Sequence, residues 1–170
     1  MLSKKLEEEL NKQLNAEMYS SYLYLSMSAY LASINLNGFS NWMKIQFEEE
    51  QAHAMKLFQY IIDRGGKVSL MPIADPPGEW NNIIDVFEAT YTHEQEVTRL
   101  INELVNISIE EKDHATVNLL HWFVSEQVEE EATVSDILDQ LKLIDGKGAG
   151  LFMLDRELKQ RSFVPLQDGN

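Results

Sequence analysis

Two sets of metal-ligating side chains recur along this 170-residue chain with the same spacing. Glu17 precedes Glu50 by 33 residues and His53 by 36; Glu94 precedes Gln127 by 33 and Glu130 by 36. Carboxylates with one imidazole and no sulfur suit hard or borderline ions such as Fe(II), Fe(III) or Mn(II), and zinc is compatible with the same donors. A buried carboxylate is costly unless it is paired or coordinated. One glutamate on an apolar stripe is ordinarily an edge residue reaching water. Four acidic positions at one height, with a histidine three residues after Glu50, are read instead as a buried pair of metal ions.

That reading requires helices that bring the positions to one level. Leu6, Leu10, Leu14, Tyr24 and Leu31 form one stripe of a helix from about Ser3 or Lys4 to Ser33, with Ser3 as N-cap. A second helix, about 39–64, carries Trp42, Gln46, Glu49, His53 and Tyr60 and stops at Gly65-Gly66. A third, about 83–111, turns Phe87, Tyr91, Glu94, Ile101 and Val105 inward. A fourth, about 115–143, follows Asp113 as N-cap and carries Val117, Leu120, Phe123, Gln127, Glu130, Val134 and Leu141. Gly146, Gly148 and Gly150 then loosen the chain before a short helix at about 151–161, and the tail from Ser162 onward is expected to fray.

Short turns at Asn35–Gly38 and Lys112–His114 make two antiparallel hairpins, and counting from each turn puts the four ligand positions at matching heights. Between the hairpins lie about 17 residues containing Pro72, Pro76, Pro77 and Gly78. Extended at ~3.3 Å per residue, they reach over roughly 50 Å, more than the height of a bundle. The expected fold is all-α: one domain over 1–170, a four-helix bundle at about 3–143 with one long crossover between the second and third helices, plus the short fifth helix.

Composition narrows the function further. A formal charge of −14 argues against nucleic acid and anionic membranes as partners and favours cations. No apolar run approaches the ~20 residues that span a bilayer, and the N-terminus has no signal-peptide pattern, so a cytoplasmic protein is expected. Glu49 and Glu126 directly precede Glu50 and Gln127 and are related by the same 77-residue offset as the hairpins. With Glu129 and Glu130 they form a candidate site for a third ion beside the pair, although such glutamate clusters are usually solvated faces.

The segments Leu14–Tyr24, Glu48–Ala54, Tyr91–Gln95, Trp122–Glu131 and Phe152–Leu158 resemble the haem-free ferritins of bacteria and archaea, over essentially the whole chain. The resemblance implies a ferritin-like bundle in which Glu17, Glu50 and His53 bind a first iron, with Glu50 bridging. Glu94 and Glu130 would complete a second, with Gln127 close by. It places Tyr24 beside this diiron centre, and it matches Glu49, Glu126, Glu129 and Glu130 to a third iron site. The implied activity is oxidation of Fe(II) with dioxygen or peroxide and storage of ferric mineral in a homo-oligomeric shell of twenty-four subunits. Haem is not expected, because Gln51 and Glu130 stand where haem-containing bacterioferritins carry a methionine and a histidine. A rubrerythrin-type oxidase with a cysteine-ligated iron module is incompatible with the absence of cysteine.

Overall fold

The computed structural model describes residues 1–165. Five helices follow one another: α1 (Lys4–Ser33), α2 (Asn37–Asp63), α3 (Ile83–Glu110), α4 (His114–Leu143) and α5 (Gly148–Leu158). Their ends carry specific chemistry. The Ser3, Asn82 and Asp113 side chains accept the Leu6, Asp85 and Thr116 backbone N–H groups, satisfying donors that the first turn leaves free. Leu36, at the N-cap of α2, has no side chain able to do this. Instead Asp155 of α5 accepts from Gly38 N at 2.8 Å and Phe39 N at 3.1 Å. A Cβ on Gly38 would lie 1.6 Å from the Asp155 carbonyl oxygen, so this close approach of α5 requires glycine.

Side-chain pairings fix the packing directions. Ser28 bonds Ser40 across α1 and α2, while Lys142 pairs with Glu88 across α4 and α3, so each hairpin is antiparallel. Gln46 meets Glu130 and Tyr60 meets Thr116, which makes α2 antiparallel to α4 and therefore parallel to α3. The connection from α2 to α3 must then travel the full height. It does so along α1: the Lys67 carbonyl accepts from Asn11, and the Pro77 and Trp80 carbonyls accept from Ser26 and Tyr30. The protein is a ferritin-like bundle with the single long crossover expected from the loop length.

Buried apolar residues fall into two clusters, one toward each end. One contains Leu6, Leu10, Leu14, Leu57, Ile61, Val97, Ile101, Leu104, Leu120 and Phe123. The other is built around Met27, Leu31, Phe39, Trp42, Phe87, Val134 and Leu141. On each long helix the sequence passes from one cluster to the other across a polar step at Glu17, Glu50–His53, Glu94 and Gln127–Glu130. Apolar burial at both ends holds the helices together and fixes the height of that polar layer.

Several boundaries differ from the sequence expectation. α2 begins at Asn37 rather than about 39, and α5 spans Gly148–Leu158 rather than about 151–161. Gly148 and Gly150 belong to α5: Gly148 opens it at φ +71, and a Cβ on Gly150 would crowd Ile144 at 2.8 Å. Glu49, Tyr60, Tyr91, Val105 and Val117, expected inward, are half-buried at the margins of their stripes. Residues 162–165 are non-helical, and the rest of the tail expected to fray lies outside the described residues.

Candidate metal centre

At the polar step Glu17, Glu50, His53, Glu94, Gln127 and Glu130 are all buried, none more than 9% exposed. Glu17, Glu50 and His53 each offer a ligand atom within 4.8 Å of the others, and among the described residues no other three acidic or histidine side chains come so close. His53 Nδ1 lies 3.5 Å from Glu50 Oε2. The imidazole is held edge-on against Trp122 and Phe123, at ring separations of 5.3 and 5.9 Å.

The donor set is only partly satisfied by protein. Gln13 donates to Glu17 Oε1 at 2.7 Å. Glu17 Oε2, Glu50 Oε2 and Gln46 Oε1 have no hydrogen-bond partner. Buried carboxylate oxygens left unpaired are costly, so two of them converging beside an imidazole fit a cation better than an apolar core. The second half is tied differently. The Tyr24 hydroxyl donates to Glu94 Oε1, and Gln127 Nε2 donates to Glu94 Oε2 at 3.1 Å. Gln46 Nε2 donates to Glu130 Oε2 at 2.8 Å.

Electrostatics point the same way. Burial, reinforced by the Glu50 charge, pushes the Glu17 carboxyl well above the usual range; burial and the Glu94 charge do the same to Glu50. Burial followed by the Glu130 charge raises Glu94 to about 7. Burial and the Glu94 charge raise the Tyr24 phenol. A layer in which acidic groups suppress one another's ionisation is one where entering cations would replace protons.

Glu94, Gln127 and Glu130 share the buried layer but lie outside the tight group of Glu17, Glu50 and His53, and the structure does not draw Glu49, Glu126 or Glu129 into it either. Glu49 is half-buried and paired with Arg161 at 2.6 Å. Glu126 is half-buried, with its carboxyl raised by desolvation, and Glu129 is exposed. A cleft of about 300 Å³ between α3 and α4, lined by Thr98, Ile101, Val124, Gln127 and Glu131 among others, opens toward the layer. Within it Thr98 donates to Glu131 and accepts from Gln127, giving a polar connection between surface and interior.

The ferritin-like domain family matches residues 7–144. The chain belongs to the ferritin family. A bacterial non-heme ferritin of Bacteroides fragilis is 45% identical over 161 residues, 95% of this chain and 100% of that protein. A bacterial non-heme ferritin of Campylobacter jejuni is 42% identical over 159 residues, 94% of this chain and 95% of that one. Among solved structures, an engineered closed form of the Archaeoglobus fulgidus ferritin superposes with a TM-score of 0.95 at 51% identity, covering 96% of this chain and 100% of that chain. The open-pore ferritin of that hyperthermophilic archaeon gives 0.94 at 51% identity, covering 95% and 100%. The resemblance read from the sequence is therefore sound at the level of family and fold.

Sequence reasoning overlooked Gln13 and Thr98 of this ferritin's polar layer and gave Gln46 a place on the inward stripe without a part in it. Gln13 lies one helical turn before Glu17, and Gln46 one turn before Glu50, so i,i+4 spacing from a ligand position was the available signal. Thr98 lies one helical turn after Glu94. Trp122 packs edge-on against His53. No helix among the described residues is long and apolar enough to cross a membrane.

Proposed function

We propose that this ferritin oxidises Fe(II) and stores the ferric product. Two ferrous ions, as substrate, bind side by side in the polar layer: Glu17, Glu50 and His53 take the first, Glu50, Glu94 and Glu130 the second, with Gln127 beside it. The observation that carries the reading is the convergence of Glu17, Glu50 and His53, buried, with two carboxylate oxygens lacking partners. Each Fe(II) gives up one electron. Dioxygen takes two electrons and two protons and leaves as hydrogen peroxide, which can itself accept two more electrons and two protons to give water. Carboxylate oxygens favour the ferric product by charge and hard-ligand preference.

The surrounding residues manage orientation and protons. Gln13 holds Glu17 Oε1 and Gln46 holds Glu130 Oε2, leaving the other oxygen of each for metal, whereas both Glu94 oxygens accept, from Tyr24 and Gln127, so one of those bonds is given up when Glu94 binds. Carboxyls held protonated by burial give up their protons as cations enter, so the charge in the layer stays nearly balanced. Glu49, Glu126, Glu129 and Glu130 would hold a third ion next to the pair. No haem takes part. Storage implies a hollow homo-oligomer of twenty-four chains, to which the family, the docked α5 and a charge of −14 per chain lend support.

Aerobic Fe(II) oxidation measured on purified protein tests the centre. Glu50→Ala and His53→Ala are each expected to slow it at least about tenfold, since each removes a ligand rather than a bystander. Unchanged rates in both variants would contradict the assignment. Light scattering after size exclusion tests the shell, and a monomer or dimer unable to retain mineral would overturn storage.

A further inference from the structure

Arg161, just beyond α5, reaches back across the outside of α2. Its guanidinium lies over the Trp42 ring, 4.7 Å from the centroid, and Nη1 donates to the Trp42 carbonyl at 3.4 Å. Its Nη2 donates to Glu49 Oε2 at 2.6 Å. The backbone of Arg161 is held as well, because Asn41 Nδ2 donates to the Arg161 carbonyl at 3.0 Å. Arg161 and Glu49 are about three-quarters buried, which makes their contact a shielded, charge-assisted pair rather than a loose surface one. A fixed positive charge therefore sits on the carboxylate next in sequence to Glu50, within reach of the Glu130 charge that also acts on Glu49.

We propose that Arg161 is a tethered counter-ion for Glu49, and that a third metal ion has to exchange with its guanidinium before Glu49 can serve as a ligand. The inference rests on the third-ion position proposed above beside the pair. It adds a positioning residue that sets the third ion's affinity without touching the first two. The guanidinium supplies the charge an incoming cation would supply and holds Glu49 Oε2, so the two positive groups compete for one carboxylate. Linkage makes the effect mutual: if docking of Arg161 weakens the third ion by some factor, binding of that ion weakens docking of the segment by the same factor. Residues 159–161, which hold Asn41 and Trp42 through this contact, would then report on occupancy of the third position.

The test is anaerobic calorimetry of the metal-free full chain with Fe(II), where no oxidation intervenes. Wild-type protein is expected to bind two ions tightly and a third more weakly. Arg161→Gln should tighten the third about fivefold and leave the first two unchanged, the size of change expected for losing a largely shielded single ion pair. Arg161→Lys, which keeps the charge but not the fork, should fall between. The double variant Arg161→Gln with Glu49→Gln should lose the gain, which a purely structural effect of position 161 would not. Hydrogen exchange at 159–161 should quicken when the third ion binds to wild-type protein. A third affinity equal in wild type and Arg161→Gln, with the tight pair intact, would overturn this inference alone; so would a gain that survives in the double variant. Wild-type protein that binds the tight pair and no third ion would instead overturn the third-ion position on which it rests.

Discussion

Glu94→Gln should make the metal-free protein more stable near pH 8 and no more stable at pH 5. Glu94 is fully buried, and its carboxyl is raised from an ordinary 4.5 to about 7. The folded pKa lies above the unfolded one, so the protonated form favours folding below about 4.5, and that contribution is lost as pH rises through about 7. At about 1.36 kcal/mol per pKa unit, the penalty at pH 8 is a little over ~3 kcal/mol. An amide never ionises and escapes it. Tyr24 can still donate to the amide oxygen, but Gln127 must turn to avoid facing N–H with N–H, which costs roughly 1 kcal/mol. The net gain is about 2 kcal/mol at pH 8, or a melting point higher by roughly 4–8 °C for a chain of this size. At pH 5 the gain vanishes, leaving the small cost of the altered Gln127 bond. Thermal unfolding with chelator present at both pH values reads this directly. Adding Zn(II) should reverse the order, because it stabilises wild type through a ligand that the variant lacks. If the variant melts below wild type at both pH values, Glu94 supports the fold as an ordinary hydrogen-bonding residue and the argument from a buried layer of mutually repelling carboxyls fails.

Other consequences follow from the same geometry. Gly38→Ala should undock α5, since the new methyl meets the Asp155 carbonyl and two capped N–H groups lose their partner; a cost of about 2 kcal/mol or more is expected, with faster hydrogen exchange across Gly148–Leu158. Unchanged exchange would mean that α5 is held by other contacts. Binding of Fe(II) or Zn(II) at pH 6.5 should release protons from the raised carboxyls, and affinity should increase as pH rises from 6 to 8. Calorimetry in two buffers of different ionisation enthalpy measures the release, and a heat independent of buffer would refute it.

Much of this architecture was legible because the long helices repeat one design. Leu6, Leu10 and Leu14, then Glu17, then Tyr24 and Leu31 describe a single inward stripe with a polar step, and the structure buries all of them. Periodicity and loop length sufficed for the bundle and its crossover. What stayed hidden depends on contacts between residues more than a hundred positions apart. Asp155 caps α2 from 117 residues away, and nothing in Leu36–Phe39 signals the borrowed cap. Arg161 claims Glu49 from 112 residues away. Glu49 lies one residue before Glu50, about 100° around the helix, and so faces the end of α5 rather than the layer. Gly148 and Gly150 read as loose linker because glycine signals a turn and a tight packing site equally well; here they start α5 and let it close on Ile144.

Anomalous diffraction from crystals soaked anaerobically in Fe(II) addresses the paired centre most directly. Two neighbouring peaks are expected inside each chain, one among Glu17, Glu50 and His53 and the other among Glu50, Glu94 and Glu130. A map with iron only at exposed glutamates, and none between these side chains, would contradict it.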